Sequence, residues 1–521
     1  MDKDGTIINA VAELDAGSSI EAQVENAKAN GAITIMHGDD IILVPQPTSD
    51  PNDPLNMPEW QKWTVLVILG VFAILSVLLA SGMGAFVQLM FQEYHGDPRT
   101  SDLLIYPTLF MGLGNIIAVP AAIAIGRRPV LIVSAALLTF TSMGCALSKS
   151  YESHFIARAF MALAAGQSEA LCPLIIQEIN FLHVRGNRMA IFSGIQTIGF
   201  SALMIATGHI TGDLGWRWWY GIVAIISFAV LIVVLVLVPE SRYQRDETIV
   251  PSEDINRNVS LFYTDKRKPV LDEITYGKRT FASTLRVFVG PARWREGLAC
   301  LWAAARVIAY PNVAWLMLMN SLSLATYIVM TAEYAGALAS PPYLFNYDYI
   351  GYVICGQLFA ALVFMPLQGK GGDWLVKKLA KRNNGQTLPE YRLIPMILPV
   401  VVAIISCVIF GRTLADPYNW SWAGIAVPLN AAFFTFMGVI LCSYTYSIDA
   451  YPEKAGAILL LYCASRGIVS FGVSLSTVEF LQKTGPRGAF NVLAILFGAV
   501  SALGIPVYFF GPAIRRLTSR Y

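Results

Sequence analysis

The sequence predicts an all-α polytopic membrane protein of twelve helices, and three features of it lead to this fold class. Of its 521 residues, 55% are apolar and only 14% are charged, whereas soluble globular proteins carry roughly 25% charged residues. The apolar residues are grouped into twelve runs, each long enough for a helix of about 20 residues to cross a bilayer. One long polar stretch separates the first six runs from the last six. We therefore expect two six-helix bundles.

The predicted spans follow from these runs in chain order. They lie near 63–87, 103–124, 130–148, 154–176, 189–211, 218–238, 311–332, 349–368, 393–412, 421–445, 456–478 and 488–510. The corresponding organisation is a tail (1–59), an N-terminal bundle (60–238), a linker (239–310), a C-terminal bundle (311–511) and a second tail (512–521). The linker contains too many charged residues for hydrocarbon, and we expect an amphipathic helix in it near 281–309.

The tail 1–59 contains eleven acidic residues and two lysines. It lacks both the basic start and the early apolar core of a signal peptide, so we expect a mostly disordered, acidic cytoplasmic tail. Basic residues in the short loops place both termini and the linker in the cytoplasm by the positive-inside rule. The expected cytoplasmic loops carry Arg127, Arg128, Arg185, Arg188, Lys370, Lys377, Lys378, Lys381, Arg382 and Arg392, whereas the opposite loops carry about one basic residue each.

Composition and motifs exclude several other functions. The net charge of +2 gives no reason to expect nucleic-acid binding, and the seven cysteines are scattered singly without metal-ligand spacing. A phosphate-binding loop of the G-x-x-x-x-G-K-[ST] type is absent from the sequence. We therefore expect no cofactor and no metal, no enzymatic activity, and a transmembrane gradient as the energy source of any active transport. The expected partners are a small-molecule substrate, protons and the lipid bilayer.

Ionisable side chains inside spans are costly, so each one is a candidate for function. Arg158 and Glu169 lie in the fourth span, eleven residues apart, and eleven residues turn a helix by three turns plus about 20°. We therefore expect them on one face, with Gln167 beside them, lining a central cavity. In the alternative interpretation Arg158 extends to the membrane surface and Glu169 contacts a neighbouring helix.

The other candidates for a substrate or proton pathway come from four further spans. They are Gln196 in the fifth span, Glu333 at the end of the seventh, Tyr446 in the tenth and Arg466 in the eleventh. Tyr327 and Tyr444 are additional cavity candidates, although a tyrosine at helical spacing also suits ordinary packing.

A second group of charges lies in the predicted cytoplasmic loops. Ion pairs among them could hold one conformation and break in another, which is how a gate works. Lipid headgroup attraction is an equally good explanation for the arginines. The gate candidates are Arg127, Arg128, Glu178, Arg185 and Arg188 in the first half, and Asp373 and Asp449 in the second.

Several motifs resemble those of fungal major facilitator superfamily (MFS) transporters. They are Gly126-Arg127-Arg128-Pro129, Phe181-Leu182-His183-Val184-Arg185-Gly186-Asn187-Arg188, Val238-Pro239-Glu240-Ser241-Arg242-Tyr243 and Tyr446-Ser447-Ile448-Asp449-Ala450-Tyr451-Pro452. The set is similar to the drug:proton-antiporter-like branch, which includes polyamine, organic-cation and secondary-metabolite carriers. The resemblance implies the MFS fold, a monomer, alternating access between two bundles and proton coupling.

Two departures from the family pattern change what we expect. Ile123 stands where the loop motif usually has an acid, so Glu178 is the expected partner of Arg127 or Arg128 in an outward-open state. Leu203-Met204 stands where antiporters often have Gly-Pro, which weakens the case for antiport and thus for efflux over uptake.

The leading hypothesis is secondary active transport of a small organic solute at the plasma membrane, with a vacuolar or other organelle membrane as the alternative location. The alternative function is a transporter-like nutrient sensor that signals through the acidic tail.

Overall fold

The computed structural model describes residues 36–37, 40–41, 47–243, 273–276, 286, 291–345, 347–382, 388–451 and 454–518. The first half consists of α1 (Glu59–Ser81), α2 (Val87–Glu93), α3 (Asp102–Ile125), α4 (Arg127–Ala146), α5 (Tyr151–Ala165), α6 (Gln167–Ile179), α7 (Leu182–Asp213) and α8 (Trp216–Leu237). Helices α5 and α6 together form the fourth span and are separated by Gly166 alone.

The linker and the second half continue this helical pattern. They contain α9 (Glu273–Tyr276), α10 (Trp294–Val307), α11 (Pro311–Ala339), α12 (Tyr347–Val353), α13 (Gly356–Phe364), α14 (Gly371–Arg382), α15 (Ile397–Ala415), α16 (Ala423–Ala450), α17 (Ala455–Ala502) and α18 (Gly504–Thr518). Helix α17 includes both the eleventh span and the start of the twelfth, which are separated by a kink at Gly485.

The spans agree closely with the sequence prediction, with one difference in the eighth. Within the described residues, eleven helices are long and apolar enough to cross a membrane, and a shorter apolar helix covers Tyr349–Ala360. This eighth span is divided into α12, α13 and a π-helical turn at Met365–Lys370. Gly356 and Pro366 explain the division, because both residues disfavour a helix interior.

The N-terminal tail lies mostly outside the described residues. Two short strands, β1 (Met36–His37) and β2 (Asp40–Ile41), pair antiparallel. Residues 47–58 are packed rather than disordered: Tyr243 Oη donates a hydrogen bond of 3.2 Å to the Asp50 carboxylate, and Thr48 lies 3.1 Å from the same hydroxyl. The segment just before the first span is therefore joined to the beginning of the linker through Thr48 and Asp50.

The two ends of the linker meet at the last turn of α3. Since Ala124 is at the helix end, its carbonyl lacks an intrahelical partner, and it accepts hydrogen bonds from Arg242 Nη1 at 2.9 Å and from the Arg293 N–H at 2.8 Å. The predicted amphipathic helix near 281–309 corresponds to α10, which packs on α3 and α17.

The two halves contact each other along α3 and α17. At the closest point Gly112 lies against Gly467, and a Cβ atom on Gly467 would lie only 2.6 Å from the Thr108 carbonyl oxygen. A second contact joins α7 to α12 and α13. These two contacts border the space between the halves.

Candidate functional site

A cavity of about 260 Å³ lies between the two halves. It is lined by α1, α3, α6 and α7 from the first half and by α11, α14, α16 and α17 from the second. The central pathways of two-bundle transporters also lie between their two halves. Most of its wall is apolar. Its charged lining residues in the described part of the chain are Glu169, Arg185, Arg392, Asp449 and Arg466.

One ion pair joins the halves across this cavity. The Arg466 guanidinium on α17 donates a hydrogen bond to the Glu169 carboxylate on α6. Arg466 is only 2% exposed, whereas the Glu169 side chain is 21% exposed. Glu169 lies in the first turn of α6, where the helix dipole favours a negative charge. The pair therefore places one fixed positive charge and one titratable carboxylate at the boundary between the halves.

Aromatic rings surround the arginine on the side of the second half. The Arg466 guanidinium lies 5.6 Å from the centre of the Phe436 ring, and Tyr327 stacks on Phe436 with 6.1 Å between ring centres. Gln357 Nε2 donates a 2.8 Å hydrogen bond to Tyr327 Oη, which fixes that ring. Tyr444, whose hydroxyl lies 3.3 Å from Cys463 Sγ, completes this wall. The arrangement can hold a flat or positively charged organic group.

The cavity extends toward one end of the bundle, which we call the basic end because it carries Arg127, Arg185 and Arg392. Arg185 and the Arg392–Asp449 pair (3.0 Å) line the cavity there. At the opposite end the halves touch, since His209 Nε2 lies 3.0 Å from Tyr352 Oη and Tyr106 packs edge-on against Phe471. The structure thus has its cavity at the basic end and a closed opposite end.

Arg158 does not share the cavity with Glu169, contrary to the sequence prediction. It is 1% exposed and is absent from the lining. Its guanidinium donates to the Ala80 and Leu103 carbonyls, both at 3.0 Å, and to Tyr220 Oη at 2.5 Å. The membrane-surface alternative is also wrong, because these partners bury the group.

Two other pathway candidates are enclosed by protein. Gln167 Nε2 donates a 3.1 Å hydrogen bond to the Gly114 carbonyl, between α6 and α3. Tyr446 is fully buried and accepts a 2.9 Å hydrogen bond from Asn312 Nδ2. Both therefore contribute to packing within one half and do not line the cavity.

Of the remaining candidates, one lines the cavity and one lies outside it. Gln196 lines the cavity together with Glu169 and Arg466. Glu333 lies near the end of α11, half-buried and outside the cavity lining. The side chain of Asp373 lies outside the described residues.

The expected contact between Arg127 and Glu178 is present. Arg127 Nη2 and Nε donate hydrogen bonds of 2.6 and 2.9 Å to Glu178 Oε1, and Ser241 Oγ donates one of 2.6 Å to Oε2. Arg127 and Glu178 belong to the first half and Ser241 to the start of the linker, and the contact forms while the cavity is at the basic end. Its dependence on an outward-open state stays a prediction.

Glu240, which belongs to the motif at 238–243, was not among the predicted site residues, yet it connects the start of the linker to α4. Its carboxylate accepts the N–H groups of Arg127 at 2.9 Å and Arg128 at 3.1 Å, so it caps the first turn of α4 from outside the helix. Gly126 precedes this turn with φ of 135°, a value that favours glycine. Burial and the neighbouring charges of Arg293 and Arg127 lower the pKa of Arg242, which follows two residues later.

The other gate candidates also bind within their own half. Arg128 Nη2 donates to the Leu235 carbonyl at 2.6 Å. Arg188 pairs with Glu59 at 2.7 Å and stacks on Trp63, which ties the start of α7 to the start of α1. These contacts stabilise each half separately, so their roles as gates stay predictions.

Comparison with known proteins identifies the family. A family model described as Major Facilitator Superfamily matches residues 68–474. The chain belongs to the major facilitator superfamily. An uncharacterised MFS-type transporter of Schizosaccharomyces pombe is 23% identical, over 95% of this chain and 92% of its own. An efflux pump of Floropilus chiversii is also 23% identical, over 89% and 83%.

Further MFS proteins agree with this assignment. A citrinin biosynthesis cluster MFS transporter of Monascus ruber is 24% identical, over 97% of this chain and 98% of its own. Among solved structures, the proton:xylose symporter XylE matches with a TM-score of 0.58 at 12% identity, over 87% of this chain and 96% of that one. The human organic anion transporter MFSD10 matches with 0.52 at 14%, over 86% and 100%. These relatives are transporters, not enzymes, and confirm the predicted MFS fold.

Proposed function

We propose that this protein is a proton-coupled secondary transporter of a small organic solute and that it works by alternating access. The observation that carries the proposal is the Glu169–Arg466 ion pair, which connects the two halves inside the cavity that both of them line. Proton coupling requires a group that can gain a proton and whose contact with the other half changes when the halves move.

The chemistry of the pair is asymmetric. Arginine stays charged in proteins, whereas a carboxylate can be protonated. A proton on Glu169 removes its attraction for Arg466 and weakens the contact between α6 and α17. A ligand shifts a conformational equilibrium only if it binds the two states unequally. The ion pair gives the proton this unequal affinity, because separating the halves changes the charge beside Glu169.

The substrate that we propose is a polyamine, another organic cation, a drug-like molecule or a secondary metabolite. The Glu169 carboxylate and the rings of Tyr327, Phe436 and Tyr444 support this range, since aromatic faces bind cations and flat apolar groups alike. Two of the relatives, the efflux pump and the citrinin biosynthesis cluster transporter, support including drug-like molecules and secondary metabolites in this range.

The proposed orientation puts the basic end in the cytoplasm. The structure then represents an inward-facing state of a monomer, in the plasma membrane or an organelle membrane. A tag inserted before residue 36 and a single engineered cysteine in the 244–272 part of the linker should stay inaccessible to impermeant reagents in intact cells. Labelling of either site before permeabilisation would contradict this orientation.

The deciding experiment measures solute accumulation in proteoliposomes under an imposed pH gradient. A panel of polyamines, amino-acid derivatives and fungal metabolites identifies the substrate. Glu169→Gln should abolish gradient-driven accumulation and keep downhill exchange, because it removes the proton site but not the cavity. Glu169→Asp should retain partial coupling.

A matched variant tests the partner of the carboxylate. Arg466→Lys keeps the charge but loses the planar fork, so we expect coupled transport to fall about tenfold or more with exchange less affected. Arg99→Gln serves as the control, since it removes an exposed charge that lies outside the cavity. A Glu169→Gln protein that still concentrates substrate would remove Glu169 from the mechanism, and no accumulation of any solute would favour the sensor hypothesis.

A further inference from the structure

Helix α10 carries an apolar and basic surface that the transport mechanism does not use. Its buried side consists of Gly297, Ala304 and Val307. Trp294 (52%), Leu298 (62%) and Trp302 (62%) are exposed instead. Three large exposed apolar side chains on one 14-residue helix form a patch, and such a patch indicates a surface that contacts protein or lipid rather than water.

Helical geometry places two arginines beside this apolar surface. At 100° per residue, Trp302 and Arg306 lie within about 20° of Arg295 around the helix axis, and Leu298 lies about 60° to one side. Gly297 and Ala304 lie on the opposite side, about 180° to 200° away. Arg306 lies over the Trp302 ring, 5.3 Å from its centre. Tryptophan, leucine and arginine on one exposed face are typical of helices that lie in the membrane interface.

The position of α10 indicates what covers this face. The N–H of Arg293 is bound to the last turn of α3, and Gly297 lies one turn deeper, where a Cβ atom would be 2.6 Å from the Pro120 carbonyl oxygen. After α10, Tyr310 Oη accepts a 2.7 Å hydrogen bond from Lys454 at the start of α17. Because the candidate span that contains α3 ends at Ile125, these contacts lie at its last two turns, where lipid headgroups are expected, and α10 bridges the two halves there.

We propose that the exposed face of α10 binds anionic phospholipid headgroups of the leaflet at the basic end, through Arg295 and Arg306. Trp294, Leu298 and Trp302 insert at the level where headgroups meet acyl chains. Arg293 is occupied by Glu296 at 3.1 Å, which leaves Arg295 and Arg306 to face the lipid. Because α10 packs on both α3 and α17, lipid binding there also changes how easily the two halves separate.

The test needs no transport substrate. Full-length protein is reconstituted in phosphatidylcholine vesicles that contain a fixed fraction of brominated phosphatidylserine or of brominated phosphatidylcholine. The fluorescence difference between the unaltered protein and a Trp302→Phe variant isolates the Trp302 signal. We expect brominated phosphatidylserine to quench that signal more strongly than brominated phosphatidylcholine.

The arginine variants decide the proposal. Arg295→Gln with Arg306→Gln should abolish the preference for phosphatidylserine, at about 5-fold in relative lipid affinity for each arginine, the factor that corresponds to about 1 kcal/mol. Arg99→Gln with Arg217→Gln, at the opposite end, is the matched control and should leave the preference unchanged. Equal quenching by both lipids, or a preference that survives the double variant, would overturn the proposal. A Trp302 that neither lipid quenches would mean that protein covers the face.

Discussion

Arg158 shows how a buried charge can be satisfied without a carboxylate. The carbonyls of Leu79 and Ala80 are in the last turn of α1, where α-helical hydrogen bonding ends and the 3₁₀ turn Gly82–Phe86 begins. The Leu103 carbonyl lacks its helical partner because residue 107, four positions later, is proline and has no N–H. Arg158 donates to all three of these acceptors. Its position is thus dictated by three orphaned carbonyls.

This interpretation predicts that Arg158 is needed for the fold rather than for coupling alone. Arg158→Lys retains the charge but cannot reach acceptors on α1, α3 and Tyr220 together. We expect the free energy of unfolding to fall by about 3 kcal/mol, since each hydrogen bond to a charged group contributes about 1.5–3 kcal/mol. Thermal unfolding in detergent measures the change.

Arg99→Lys, an exposed arginine at the same end, is the control and should leave the midpoint unchanged. If Arg158→Lys unfolded normally and lost only proton coupling, Arg158 would belong to the transport pathway instead.

At the residue scale, the sequence locates the ionisable groups inside the spans but not which of them meet. Hydropathy identifies Glu169 and Arg466 because a charge inside an apolar run is unusual. Their pairing depends on the contact between α6 and α17, almost 300 residues apart in the chain. One partner of Arg158 could have been inferred from the sequence. Pro107 lies inside a predicted span and has no N–H, so the carbonyl of Leu103, four residues earlier, lacks its helical hydrogen bond.

At the scale of elements, the spans could be predicted well because the bilayer imposes a minimum length of apolar helix. The eighth span is the exception, since its glycines and proline interrupt the helix without removing its hydropathy. The role of Glu240 was not predictable from hydropathy either. Its carboxylate caps α4 from the far end of α8, a contact set by how the bundle closes.

Glu178 joins three elements at the basic end, which leads to a prediction. It accepts hydrogen bonds from Arg127 at the start of α4 and from Ser241 after α8. Glu178→Gln removes the ion pair but keeps the side-chain shape. We expect turnover in proteoliposomes to fall about threefold to tenfold, while membrane insertion and the amount of folded protein stay the same.

Ser241→Ala is the matched control, because it removes one neutral hydrogen bond from the same carboxylate and should have the smaller effect. Unchanged transport by Glu178→Gln would show that this contact is not part of a gate.

At the scale of the whole molecule, the proposed alternating access predicts that the halves separate at one end at a time, which the closed end opposite the cavity allows to be tested. His209 on α7 and Tyr352 on α12 meet at the closed end. Cysteines at both positions, joined through disulfides by a short bis-methanethiosulfonate reagent, should hold that end closed. We expect transport to stop after cross-linking and to return after reduction.

Each single-cysteine variant treated in the same way is the control for modification alone. Full transport by the cross-linked protein would mean that this end does not open during the cycle.

The contact between the N-terminal segment and the start of the linker has a consequence for how the chain is made. Thr48 and Asp50 bind Tyr243, while Glu240 binds the N–H groups of Arg127 and Arg128. Every partner in these contacts has left the ribosome before the second half is translated. The first half can therefore close on itself during synthesis, and the long linker gives it time to do so. The second half then folds against a first half that is already folded. This order of folding limits non-native pairing between twelve similar apolar helices.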